Sequence, residues 1–108
     1  MTEAIKKNVN YVIKGLEIEE RDTEKPVEYI DEMKPDMLLR IHVGSDFPRE
    51  ISFTMNVRVE SDLTVKQLGA PTMAFPRVKP MEDTTQYIDD IMSRAEQVVQ
   101  AINMAIAN

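Results

Sequence analysis

Apolar residues alternate through the first part of this chain and step by three and four through its last quarter. That change of period predicts a small sheet followed by one long helix. The clearest alternation puts Met37, Leu39, Ile41 and Val43 in one phase, with Leu38, Arg40 and His42 in the other. After Gly44-Ser45-Asp46-Phe47-Pro48-Arg49 the pattern resumes. Ile51, Phe53, Met55, Val57 and Val59 share one phase; Ser52, Thr54, Asn56, Arg58 and Glu60 share the other. Two half-buried strands joined by a turn-rich loop predict an antiparallel hairpin with one polar face left open. Upstream, Val9, Tyr11 and Ile13 alternate, then the phase slips across Lys14-Gly15 to Leu16 and Ile18. A one-residue slip beside a glycine predicts a bent, bulged strand over 9–20.

Other segments are less decided. In 27–33, Val27 and Tyr29 alternate as in a strand, while Val27, Ile30 and Met33 repeat as in a helical turn, so both readings stand. Leu63, Val65 and Leu68 suggest a short fourth strand over 63–68. Gly69 to Met81 holds Pro71, Pro76 and Pro80, and proline opposes regular ladder or helix bonding. The stretch 69–81 is therefore expected to be an irregular crossover.

Helix 83–107 has a start signal in Asp83 with Gln86 three residues on, an N-cap with its capping-box partner. Ile88, Ile91, Ala95, Val98, Ile102 and Ala105 form its apolar stripe, widened by Met92, Val99 and Ile106. So broad a stripe suits packing on a sheet. The helix would run ~37 Å, against a radius of gyration near ~13 Å for a domain of about this size. It is expected to span or overhang its own domain. Its last turns, Ala101 to Ala107, are apolar on nearly every side, including Met104 away from the stripe. A second chain is the simplest cover. The fold class is thus α+β: an antiparallel sheet of three to four strands with one long C-terminal helix on one face. Residues 1–108 read as a single domain, with 1–8 disordered.

Composition narrows the function. Acidic residues number 19 and basic ones 13, for a net charge of −6, and no basic run exceeds Lys6-Lys7. Phosphate backbones are bound by Lys and Arg, so a nucleic-acid partner is not expected. The chain has no cysteine, which removes thiolate nucleophiles and every Cys-based metal site. No apolar stretch approaches the ~20 residues that span a bilayer, and residues 1–10 lack the apolar core of a secretory signal. The expectation is a cytoplasmic protein with no membrane partner.

Candidate chemistry is sparse. His42 is the one histidine, placed on the polar phase of its strand, where an ordinary sheet-face residue is expected. None of Ser45, Ser52, Ser61 or Ser93 sits in a nucleophile-elbow context. Asp89 and Asp90 are helix neighbours and diverge by about 100°, so they do not converge on one ion. With three glycines in all, no phosphate-cradling loop is present. No enzyme activity, metal or cofactor is expected. The eight methionines say more, because their flexible, polarizable side chains suit adaptable apolar surfaces.

Leu68-Gly69-Ala70-Pro71 followed by Phe75-Pro76-Arg77 is similar to the segment that leads the SecB-like family of export chaperones into its helix. The order of strands, proline-containing crossover and long terminal helix resembles that family over residues 9–107. The resemblance implies an oligomeric, ATP-independent binder of unfolded or apolar polypeptide. A non-enzymatic, self-associating, chaperone-like protein is therefore expected, with a polypeptide or protein partner. Met73, Phe75 and Val78 are the candidate partner contacts; Ile102, Met104 and Ile106 are the candidates for homo-oligomer formation. An assembly protein of a phage or mobile element, using these surfaces without a client, is the alternative. A small hydrolase built on His42 and a carboxylate is a third reading.

Overall fold

A computed structural model describes residues 15–44, 52–74 and 84–107. The expected hairpin forms its centre. Strands β1 (Leu16–Glu20), β2 (Leu38–Val43), β3 (Ser52–Val59) and β4 (Val65–Ala74) make one antiparallel sheet in the order β1-β2-β3-β4. Helix α1 (Thr84–Ala107) packs against it, an α+β arrangement. The proposed cap at Asp83, the early strand residues 9–14 and the expected disorder of 1–8 lie outside the described residues.

Register follows the alternation. Ile18, Ile41 and Met55 stand opposite one another across β1, β2 and β3. Side chains alternate across a pleated strand, so β2 and β3 turn one uniformly apolar face toward the helix. Leu39, Ile41, Val57 and Val59 are fully buried there, covered by Ile91, Ala95, Val98 and Ile102 of α1. These helix residues step by four, three and four, which keeps them on one stripe.

Segment 27–33 resolves its ambiguity by being both things in turn. Pro26 bridges Glu19, and the Val27 N–H donates to the Ile18 carbonyl, as in a strand. Ile30–Glu32 then make a single 3-10 turn. Val27 and Met33 are both buried, so each half serves the core.

The fourth strand is longer than its sequence suggests, and this corrects the expected crossover. Leu63 lies in the turn before β4, with a left-handed φ of 72°, and the strand runs on through Gly69 and Pro71 to Ala74. Thr54 pairs with Thr72 and Asn56 with Leu68, so Gly69, Ala70 and Pro71 stand opposite Met55 alone. Gly69, with φ 72°, supplies the distorted backbone of this bulge. Proline is tolerated because β4 is an end strand whose outer side needs no donor. Of the region 69–81, only 75–81 lie outside the described residues.

Candidate functional site

Two places on this fold leave chemistry or apolar surface uncompensated. The first is the flank of α1 beside β4. Asn103, the polar exception in an apolar turn, accepts from the Val65 N–H at 2.7 Å and donates to the Val65 carbonyl at 3.1 Å. Both backbone groups of Val65 thus point away from β3, and Asn103 marks the outer edge of β4. Met92 lies eleven residues earlier, about three helical turns, so it looks toward the same side. Met92 is 52% exposed and Ile88, one turn before it, 42%. Asp89 and Glu96, on the solvent side of Met92, are exposed carboxylates with no ion pair among the described residues.

The second place is the open face of the sheet. Arg40 and His42 come from β2, Glu19 from β1 and Thr54 from β3, all on the polar phase. The Arg40 guanidinium donates to Glu19 Oε1 at 3.0 Å, and His42 Nε2 lies 3.2 Å from the same oxygen. His42 Nδ1 lies 3.0 Å from Thr54 Oγ1. A carboxylate only accepts, so Nε2 carries the proton, and a neutral ring then accepts the Thr54 hydroxyl at Nδ1. The hydrogen bond from His42, helped by Arg40, holds the Glu19 carboxyl below its usual range against the opposing pull of desolvation. A shallow depression of about 260 Å³, lined by Glu17, His42, Ser52 and Thr54 among others, opens beside this cluster.

This hydroxyl–imidazole–carboxylate chain was not visible in the sequence, where Glu19, His42 and Thr54 share no motif spacing. Cross-strand register alone brings them together. Chemically it can activate a hydroxyl, but it also works as a tie between three strands. Asn56, its neighbour on β3, keeps a buried Oδ1 with no hydrogen-bond partner. Among the described residues no group of three His, Cys, Asp or Glu could hold a metal ion.

The expected contact residues scatter. Met73 lies in β4 opposite Phe53 rather than in a loop, and Phe75 and Val78 lie outside the described residues. Ile102 is fully buried in the chain's own core, so it is not available to a second copy without unfolding. Ile106 is half-buried against that core. Met104, 68% exposed, is the one of the three that faces outward. The signal for the Ile88–Met92 flank was present as period, but its exposure depends on where the sheet ends.

No helix among the described residues is long and apolar enough to cross a membrane. No protein-family model, curated protein or solved structure matches this chain.

Proposed function

We propose that this chain is a non-enzymatic, self-associating protein that binds apolar stretches of other polypeptides, the role its resemblance to the SecB-like family implies. The reading is supported above all by the exposed apolar flank of Ile88 and Met92. Clustered apolar surface left in water is costly for a protein that has no use for it. Self-association is assigned to Met104. One methionine supplies a small part of the ~800 Å² per partner that a stable interface buries, so this contact gives a reversible, concentration-dependent oligomer.

The test is titration of the chain with a reduced, unfolded polypeptide and with the same polypeptide folded. Saturable binding of the unfolded form alone is expected. An assembly protein would self-associate and bind neither form, which would remove the client-binding reading.

One observation favours a second reading, a hydrolase using Thr54, His42 and Glu19. The order hydroxyl, imidazole, carboxylate is the one nucleophilic activation needs. It ranks lower because the cluster lies on an open sheet face, where water competes with every polar contact. Turnover of an activated ester that disappears in Thr54→Val would promote it.

A further inference from the structure

Apart from the helix flank and the open sheet face, a depression of about 350 Å³ lies beyond the end of β1, lined chiefly by Glu20, Lys25, Val27, Lys34 and Met37. We infer that it takes a small zwitterion with an apolar body, of the free α-amino-acid class, a role separate from the polypeptide-binding reading. The volume falls at the small end of ligand pockets, which run about 300–1,000 Å³. Two turns hold its walls. The Glu20 N–H donates to the Lys25 carbonyl at 2.9 Å, which sets these two residues opposite each other, and Glu24, with φ 58°, closes that turn. The Met37 N–H donates to the Lys34 carbonyl at 3.2 Å, and the Lys34 N–H donates to Met37 Sδ at 3.0 Å. Asp36, with φ 70°, closes this second turn. Val27 is buried, its N–H donating to the Ile18 carbonyl, and with half-buried Met37 it supplies the apolar part of the lining.

The charged residues of this lining are not used on one another. Lys25, Lys34 and half-buried Glu20 border the same space, yet none of them makes an ion pair among the described residues. Glu32, the fourth charged residue there, already accepts from the Glu28 N–H at 2.9 Å and the Tyr29 N–H at 3.5 Å. Two ammonium groups and one carboxylate are thus left for a ligand. A carboxylate bound by Lys25 and Lys34, an ammonium bound by Glu20 and an apolar side chain against Val27 and Met37 satisfy all of them. A plain anion fits less well, because the same two turns carry exposed Asp22, Glu24 and Asp36. A plain cation meets both lysines.

The probes are leucine, isocaproate and isoamylamine, which put both charges, the carboxylate alone or the ammonium alone on one apolar body. Binding to the full chain is followed by backbone amide chemical shifts. Leucine is expected to give saturable shifts within residues 20–37 and to bind about tenfold or more tightly than either single ion. Lys25→Gln and Lys34→Gln should each weaken leucine and isocaproate about threefold or more, and should not weaken isoamylamine. Glu20→Gln should do the reverse, weakening leucine and isoamylamine but not isocaproate. None of the three side chains carries an ion pair among the described residues, so the variants keep the fold, which unchanged shifts in α1 verify. Isocaproate binding as tightly as leucine would make this a simple anion site and overturn the zwitterion assignment. Leucine that leaves these amides unshifted, or binds all three variants as it binds wild type, overturns the site. Neither result touches the binding of unfolded polypeptide, which is measured separately.

Discussion

The two halves of α1 bury one stripe in common, Ile91 and Ala95 in the first and Val98 and Ile102 in the second, but differ in what holds the flank of that stripe. The C-terminal half, greasy on nearly every side, is the better seated. Ile102 is fully buried, Ile106 packs against the core, and Asn103 ties the helix to the β4 backbone. The N-terminal half has the more ordinary amphipathic pattern, yet it leaves Ile88 and Met92 in solvent. The difference lies in what each half rests on. Near Asn103 the helix has the β4 backbone within hydrogen-bonding reach, whereas Ile88 and Met92 sit on the flank of the buried stripe and stay in solvent. Counting apolar residues along a helix therefore misplaces the sticky surface when only part of a broad stripe is buried.

The sharpest test of that contrast is Ile102→Ala against Met92→Ala. The first removes a fully buried side chain and should cost about 2–5 kcal/mol; the second should stay within about 0.5 kcal/mol. Equal losses in urea denaturation would mean the terminal turns are not seated as described. Asn103→Ala comes next, at about 1–3 kcal/mol, because it strips partners from both backbone groups of Val65. Hydrogen exchange at the Val65 amide should accelerate in that variant more than at Val57. No change there would sever the proposed tie between helix and edge.

A smaller effect concerns the open face, where both ends of each contact reach solvent. The Glu19 carboxyl is held below the ordinary glutamate range, chiefly by the His42 hydrogen bond. A lowered carboxylate pKa adds stability above the unfolded value, and that stability is lost as pH falls through the folded value. Wild type should therefore exceed Glu19→Gln by a constant margin above about pH 5 and converge with it below. A gap that persists into strong acid would show that the charge of Glu19 is not what ties the strands. The smallest expected change in stability is in Met104→Glu, within about 0.5 kcal/mol. Its readout is sedimentation: the oligomer should dissociate, and an unchanged molar mass would discharge Met104 from self-association.

The hairpin of β2 and β3 was legible residue by residue, because a half-buried strand can satisfy its sheet only by alternating. The 3.6-residue stripe of α1 was legible for the same reason. β4 was not, since Gly69 and Pro71 carry strong local signals against a strand. Those signals lost because an end strand bonds on one side only, and a bulge absorbs the misfit. The Glu19–His42–Thr54 chain was equally hidden. Its members are separated by 23 and 12 residues, and no local pattern encodes who stands opposite whom.

What the amino-acid order determined by itself was the set of elements and the face each would bury, since these depend on backbone periodicity and the transfer of apolar groups from water. What only the tertiary structure decided was which apolar side chains remain outside and which polar ones meet. Exposure at Met92 and contact at His42 depend on strand register and on where the sheet stops, and those are set jointly by segments far apart in the chain.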